Sequence, residues 1–359
     1  MTQQTFLATA LALTIGGVIS LGAQGIEPAL AWQRDCVGRF TLELPGEVDV
    51  AMPRLQRFLG LGSTNMQYLF PSETTGQTWG DKQAAGSQLE SGPSADANVF
   101  AAARTEMDAI YSARIRELRA QSRDDDADEF QHLSTDLPDT HVWTVGNSKH
   151  YLLLRDGRLF SVYDDGKDDA FYKPRVSHVA STVRSRQVFE VPAQPGLCLH
   201  YGFLPDDGSL RRDIGITYRL KAHPEIEILF WDRSAYQTPT GYKEKSDSRE
   251  VQFFWEDDNP VRGKQVRLLS PHVPGMMQFP DVKMGGFTGK RSFVEITRQN
   301  GTVDYGYMAF VKGDPSAKDD KPDLLLYVIR DVSKAKGKPL DRGEVEAIGD
   351  HIAASIRRH

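Results

Sequence analysis

Two segments of this sequence begin with a cysteine and continue as apolar strands. Residues 36–45 open at Cys36 and alternate Phe40 and Leu42 with polar neighbours, and a period of two places alternate side chains on opposite faces of a strand. Residues 198–203 open at Cys198 in the same way. The chain is thus expected to fold as two halves, each built outward from a cysteine-led strand.

The length of 359 residues also favours two domains, since a single ordinary core stops growing before that size. We predict one domain over residues 36–187 and a second over residues 197–359. The segment between them, residues 188–196, contains two prolines and is typical of a linker. Residues 178–184 and 351–357 align without a gap. A duplicated fold and a chance match of short helical strings both explain that alignment.

Hairpin signals and terminal helices define the fold class. Asp156-Gly157 and Asn300-Gly301 each separate two apolar runs, which predicts two hairpins with type I′ turns. Helices are predicted over residues 168–186 and from Asp341 onward, the latter with Glu344 in a capping box. Adjacent hairpins with few, terminal helices predict α+β domains, each a mainly antiparallel sheet with a closing helix.

The amino-terminal residues 1–31 are predicted to be a targeting segment. Residues 6–21 are apolar and small, about as long as a secretory h-region and shorter than the ~20 residues that span a bilayer. Cleavage is expected after Ala23 or Ala31. No stable membrane span is expected, and the predicted location is the periplasm. A buried core helix is the alternative interpretation.

The two cysteines, Cys36 and Cys198, both follow this segment. An even count in an exported protein permits one disulfide, and the alternative is that each is a small buried side chain. Their spacing does not fit a zinc site. The formal charge of −6 and the pI near 5.9 disfavour a nucleic-acid partner.

No catalytic or cofactor motif was found. The serine-hydrolase elbow, the zinc-protease His-Glu-x-x-His, the phosphate loop and the dinucleotide fingerprint are all missing from the sequence. The nine histidines are scattered singly, and His178 and His351 are expected near the buried faces of the closing helices. We therefore predict a protein that is not an enzyme and uses no cofactor.

Two long loops stand out instead as candidate contacts for a protein partner. Residues 270–280 are framed by proline and glycine, and residues 63–92 are the matching stretch of the first half, with one short strand expected at residues 77–79. Packing under the first loop is the alternative role for its apolar side chains. The partner-contact candidates are Met276, Met277, Phe279, His272 and Trp79.

The leader, the Cys-x-Gly-Arg-Phe-x-Leu-x-Leu-Pro opening at residues 36–45 and the Cys-led strand at residues 198–203 together resemble a known family. The chain is similar to the periplasmic immunity proteins that protect Gram-negative bacteria from phospholipase effectors of type VI secretion. That resemblance covers most of residues 36–359, including the Ile-rich, Arg-tailed helix of residues 344–358.

The resemblance implies inhibition by binding. Two α+β domains would grip a secreted lipase and block its catalytic cleft, a task that needs no catalytic residues. Two other classes remain open from the sequence. An exported lipid- or small-ligand-binding protein would have a closed apolar cavity, and an enzyme with a motif-free site would have converging polar side chains in a cleft.

Overall fold

A computed structural model describes residues 31–53, 68–69, 82–84, 88–120, 130–145, 148–164, 173–235, 251, 255, 265–269, 279–317 and 319–359. Apart from Ala31, the predicted leader lies outside these residues. Trp32–His359 form one compact unit. Within the described part of the chain, no helix is both long and apolar enough to cross a membrane.

The first half contains a five-stranded antiparallel sheet. Its strands, in spatial order from one edge to the other, are β7 (Gln88–Ser94), β11 (Arg158–Asp164), β10 (Ser148–Arg155), β9 (Thr140–Val145) and β8 (Phe130–Leu133). Asp156 and Gly157 join β10 to β11 with φ of 46° and 74°. Both turn residues have positive φ, so the hairpin predicted at this position is confirmed.

Helix α1 (Ala97–Ala120) covers one face of this sheet. It starts after Asp96, whose Oδ1 accepts a hydrogen bond of 2.8 Å from the Val99 backbone N–H. Its apolar stripe packs on the sheet in one cluster. That cluster joins Phe100, Ala103 and Met107 of the helix to Trp143, Leu152 and Leu159 of the strands.

Part of the predicted loop over residues 63–92 is strand. β5 (Tyr68–Leu69), β6 (Lys82–Ala84) and the start of β7 fall within it. β7 contains Gly92 and Pro93, and it lies at the edge of its sheet, where a missing backbone N–H costs least. The pairing of β7 with β11 therefore makes this segment a strand, although its glycine and proline disfavour one. Residues 77–79 lie outside the described residues.

The second half contains a nine-stranded antiparallel sheet. Its main path is β17 (Gln265–Leu268), β19 (Phe287–Thr297), β20 (Val303–Val311), β21 (Asp323–Arg330), β16 (Ile226–Arg233), β15 (Arg212–Leu220) and β3 (Val48–Val50). Two further strands lie beside this path, since β18 (Asp281–Met284) pairs with β19 and β6 pairs with β15. Every residue of β21 is buried, as expected for a central strand.

Helix α3 (Arg342–Ser355) packs on one face of the large sheet, and its predicted capping box is confirmed. Asp341 accepts from the Glu344 backbone N–H, and Glu344 accepts from that of Asp341. Gly349 lies against the Tyr307 ring so closely that a Cβ there would approach it to 2.4 Å. The helix and the sheet can therefore meet at this point only through a glycine.

The hairpin between β19 and β20 is confirmed, but its predicted turn type is wrong. Gly301 has φ of 79°, whereas Asn300 is not among the described residues with positive φ. The Gly301 N–H bonds to the Arg298 carbonyl at 2.8 Å, and the Arg298 N–H bonds to the Thr302 carbonyl at 2.8 Å. The loop is longer than two residues, so only its glycine needs the left-handed conformation.

Helix α2 (Lys173–Thr182) is shorter than predicted at its carboxyl end. Arg184 and Ser185 form strand β12, and Arg186 is buried in an ion pair with Asp35. The ion pair of Arg186 with Asp35 thus outweighs the favourable interaction that its charge would have with the carboxyl terminus of a longer helix.

His178 and His351 are both exposed. His351 nevertheless has partners at the edge of the closing helix, since its ring stacks on Trp32 and its Nε2 contacts Glu43 at 2.9 Å.

Each cysteine belongs to a tight hairpin. Cys36 lies near the end of β1 (Trp32–Val37), which turns at Gly38 and Arg39 into β2 (Phe40–Pro45). Cys198 lies in β13 (Gly196–Leu199), which turns into β14 (Gly202–Pro205). The single strand predicted to begin at Cys36 is therefore two strands. Cys36 lies inside the first, which begins at Trp32, and the second begins at Phe40.

A disulfide joins the two hairpins. Cys36 and Cys198 have an S–S distance of 2.04 Å and a Cα–Cα distance of 5.6 Å. Both cysteines are fully buried and pack with Phe203. Gly38 and Cys198 also form an isolated antiparallel bridge, with hydrogen bonds of 2.8 and 2.9 Å.

The two halves also exchange strands. β3 and β6, from the first half of the sequence, extend the large sheet of the second half. β22 (Arg357–Arg358), from the other end of the sequence, pairs with β2. The predicted α+β class with antiparallel sheets is confirmed. The boundaries at residues 36–187, 188–196 and 197–359 stay a prediction.

The disulfide should contribute substantially to stability, because it closes a loop with a sequence separation of 162. Replacing both cysteines by alanine is expected to lower the free energy of unfolding by about 2–5 kcal/mol. Urea unfolding with and without dithiothreitol measures this loss. The double variant is the control and should not respond to the reductant. An equal midpoint for the oxidised and reduced wild type would contradict the prediction.

Candidate partner-binding groove

The turn that follows Cys36 gathers charged side chains from several elements. On its amino side, Asp35 is fully buried and accepts a hydrogen bond of 2.6 Å from Arg186 and one of 2.9 Å from the Tyr218 hydroxyl. Arg186 also donates to the Cys36 carbonyl at 3.0 Å. The Asp35 carboxylate thus links β1, the segment after β12 and β15 in one buried network.

Burial and charge both shift the pKa values of this network. Burial raises the pKa of Tyr218 well above its ordinary value, and the neighbouring Asp35 carboxylate raises it further. Burial lowers the pKa of the Arg186 guanidinium, but Asp35 and Tyr218 outweigh this, so the pKa is raised. Arg186 therefore stays charged and Tyr218 stays neutral, as a paired buried charge requires.

Gly38 is required at the turn itself. It has φ of +55°, and a Cβ at this position would lie 2.2 Å from Oδ2 of Asp232. The same oxygen accepts a hydrogen bond of 2.9 Å from the Arg39 backbone N–H. Because any side chain would clash there, only glycine lets the turn approach β16 this closely.

Arg39 extends the network on the other side of the turn. Its Nε donates to Asp206 at 2.8 Å, and its Nη1 donates to Asp320 at 2.9 Å. Asp320 also pairs with Arg212 at 2.8 Å. Burial raises the pKa of Asp320, but the charges of Arg212 and Arg39 outweigh it and hold that pKa below its usual value. Asp320 is therefore ionised at neutral pH.

Asp206 begins a short loop that separates two depressions of the surface. The loop is held at each end, since Asp206 Oδ1 accepts from the Leu210 N–H at 3.1 Å and Arg39 Nη2 donates to the Leu210 carbonyl at 2.8 Å. Within it, Asp207 accepts from the Ser209 N–H at 2.9 Å. These bonds fix the loop to the disulfide-linked hairpins.

The larger depression is an open groove of about 540 Å³. We call it the junction groove, and its lining is His178, Pro195, Pro205, Asp206, Asp207, Ser209 and Leu210. His178 comes from helix α2 in the first half, and the other residues come from the linker and the second half. Asp207 and Ser209 are exposed. The groove therefore presents a rigid, partly acidic surface where the two halves meet.

A smaller depression of about 230 Å³ lies on the other side of the same loop. Its lining includes Arg39, Arg212 and Asp320, together with Asp319 and Lys321. Opposite charges are paired there, so this surface is close to balanced.

His200, in the turn between β13 and β14, is buried beside this network. Burial lowers the pKa of His200 to about 3, and the charges of Arg186 and Arg158 act in the same direction. The imidazole is therefore neutral in the folded protein at any pH above that value.

Of the five sequence-predicted contact residues, the structure describes only Phe279, which is not part of the lining of this groove. Trp79, His272, Met276 and Met277 lie outside the described residues, and their role as contacts stays a prediction. Phe279 is buried, with 4% of its surface exposed. It packs in the core cluster of the large sheet with Val251, Trp255 and eight buried strand residues. Phe279 therefore supports the fold and offers no exposed contact.

The groove loop was missed in the sequence, although its composition carries a signal. Pro205-Asp206-Asp207-Gly208-Ser209 is rich in turn-forming residues and follows a buried strand directly. The buried charges could not be paired from one sequence, because each partner comes from a distant segment. Arg39 and Asp320, for example, are 281 residues apart.

Comparison with known proteins finds a family model that matches the second half of the chain. Residues 190–359 match the family described as "Tle cognate immunity protein 4 C-terminal domain". The resemblance predicted from the sequence is confirmed. No match to the chain was found among curated proteins.

Solved structures of immunity proteins share the fold over most of the chain. The immunity protein TplEi of Pseudomonas aeruginosa, in a complex with an "L" peptide, has a TM-score of 0.52 and 16% identity, covering 91% of this chain and 98% of that one. The Tle4–Tli4 complex contains a chain with a TM-score of 0.54 and 15% identity, covering 91% and 97%. The apo structure of TplEi has a TM-score of 0.53 and 16% identity, covering 91% of this chain and 97% of that one. At these identities the similarity concerns the fold, and it extends through both halves.

Removing only one partner of the buried Asp35–Arg186 ion pair should lower the free energy of unfolding strongly. Asp35→Asn is expected to lower the free energy of unfolding by about 3–5 kcal/mol, because it leaves the Arg186 charge buried without its partner. Urea unfolding measures the change. Arg184→Ala, which removes the exposed ion pair with Glu190, is the matched control and should cost less than about 1 kcal/mol. Equal losses in the two variants would contradict the buried network.

Stability should fall in mild acid partly because of His200. An unfolded histidine gains its proton near pH 6.5, whereas folded His200 resists protonation down to about pH 3. Its contribution is therefore complete above pH 6.5 and is lost as the pH falls from there towards 3. Between pH 7.5 and 5.5 the expected loss from this group is about 1.4 kcal/mol.

His200→Gln should flatten this pH dependence by that amount, as measured by urea unfolding at the two pH values. Thr105→Ala, an exposed change that removes no titratable group, is the control and should leave the slope unchanged. A His200→Gln variant with the wild-type slope would contradict the assignment.

Proposed function

We propose that this protein is an immunity protein that binds a phospholipase effector of type VI secretion in the periplasm and inhibits it by covering its catalytic cleft. The observation that carries the proposal is the match of residues 190–359 to the C-terminal domain of Tle cognate immunity protein 4. The shared fold supports it across the remaining residues, because one of the similar structures is a complex of such a protein, Tli4, with Tle4.

The construction of the junction suits inhibition by binding. A surface that is already in its bound shape loses little freedom on association, so more of the contact energy becomes affinity. The disulfide, the Asp35 network and the Arg39 network fix the loop that forms one wall of the junction groove. The halves can therefore present their binding surfaces with a fixed spacing.

The junction groove is one candidate contact surface. Another immunity protein of this fold has been solved with a bound peptide, and a groove of about 540 Å³ has room for several side chains of an inserted segment. Asp207 in its wall favours a segment with a basic side chain. The chain's net charge of −6 would further favour encounter with a basic effector surface.

The loop of residues 270–280 is a second candidate contact. Met276 and Met277 are adaptable apolar anchors of the kind that interfaces use, and His272 adds a polar contact. Trp79, in the separate stretch of residues 63–92, would add an aromatic contact. The proposed periplasmic location is supported by the leader signal in the sequence and by the disulfide, since disulfides persist in oxidising compartments.

Co-purification with the effector encoded beside this protein's gene tests the proposal. The expected result is a stoichiometric complex without lipase activity and with a Kd in the nanomolar range or below, about −12 kcal/mol or stronger. An unrelated secreted phospholipase in the same assay should stay active. A chain that captures no effector and leaves its lipase activity intact would overturn the proposal.

Surface variants then locate the interface. Ser209→Tyr fills the junction groove, and the double change Met276→Asp, Met277→Asp alters the second candidate. Each is expected to weaken binding at least about tenfold if its surface is used. Glu106→Lys on the exposed side of α1 is the matched control and should bind normally. Phe279→Ala should instead lower stability, because its side chain is buried.

A further inference from the structure

A cluster of possible metal ligands lies in the first half, away from the junction groove. It consists of Asp108 on α1, His132 on β8 and His141 on β9. β8 and β9 are antiparallel neighbours, with His132 opposite Trp143. His132 and His141 are therefore diagonal neighbours on one face of the sheet, and α1 places Asp108 over that face.

The Asp108 carboxylate lies within ion-pair range of both histidines of the cluster. Asp108 Oδ1 lies 3.6 Å from His132 Nε2 and 3.7 Å from His141 Nε2. Both distances are too long for hydrogen bonds. The three ligand atoms all lie within 4.8 Å of one another, so they surround a common point.

These distances fit ligands that share one ion. Zn²⁺ binds imidazole nitrogen and carboxylate oxygen at about 2.0–2.2 Å, which places two tetrahedral ligands about 3.4 Å apart. The two measured separations exceed this edge by only a few tenths of an ångström. Small side-chain rotations would complete the geometry, since His132 and Asp108 are not fully buried.

Two atoms of the cluster, one on Asp108 and one on His141, have no hydrogen-bond partner. Asp108 Oδ1 and His141 Nε2 are each buried and have no hydrogen-bond partner. Buried polar atoms without partners are costly, and such atoms require a specific explanation. A cation between them would satisfy both atoms at once, which a direct contact at 3.7 Å does not.

We propose that Asp108, His132 and His141 bind one divalent transition-metal ion, and that Zn²⁺ fits this donor set best. Two imidazoles and one carboxylate match the ligand types that Zn²⁺ prefers, and three protein ligands leave a fourth position for water. The ion would join α1 to β8, the edge strand of the five-stranded sheet. It would thus fasten the outermost hairpin to the helix that covers the sheet.

Zinc titration of the full chain, free of a histidine tag and treated with EDTA, tests this proposal. Competition with a chromophoric chelator should show one Zn²⁺ per chain, and Co²⁺ should give the visible absorption of a tetrahedral site. Both cysteines are held in the disulfide. Free thiols therefore cannot supply an alternative site.

His132→Ala and Asp108→Asn should each weaken binding at least about tenfold and abolish the Co²⁺ bands, since each removes one of three ligands. Both side chains are partly exposed, and circular dichroism checks that the variants are folded. His178→Ala, at an exposed histidine outside the cluster, should bind like the wild type. Absence of stoichiometric binding, or binding unchanged by both ligand variants, would overturn the proposal.

Discussion

The structure depends on one short turn that is fixed from three sides. Cys36 is bonded covalently to Cys198, Asp35 is paired with buried Arg186, and Arg39 is paired with Asp206. Charges are removed from water only when their partners are in place, because an unpaired buried charge costs several kcal/mol. These three contacts therefore fix the position of the turn relative to the segments around it, and through the turn they hold both halves of the fold together.

This construction explains how a protein without an obvious reaction can act. Two antiparallel sheets with covering helices provide stable platforms, and the cross-linked turn sets the spacing between them. The junction groove lies where the platforms meet, and its loop is held by hydrogen bonds to Asp206 and Arg39 and by the buried Leu210 side chain. The shape of this surface is thus fixed by the residues beneath it, as the proposed inhibition by binding would require.

Local patterns predicted much of the fold. The Asp156-Gly157 hairpin, the capping box at Asp341 and the buried strand β21 are each encoded within a few neighbouring residues. Features that depend on distant partners were not predicted, including the early end of α2, the edge strand β7 and the buried charge networks. The histidines of the metal cluster were uninformative for the same reason, because only the pairing of β8 with β9 brings them together.

The turn at residues 35–39 also has a consequence for the order of folding. Its partners lie 151 residues away for Arg186, 162 for Cys198, 193 for Asp232 and 281 for Asp320. Contacts between such distant residues require large loops to close, and they form slowly. The sheets can assemble from nearer neighbours, whereas the turn must wait for segments from most of the chain. The piece that fixes the architecture is thus among the last to be put in place.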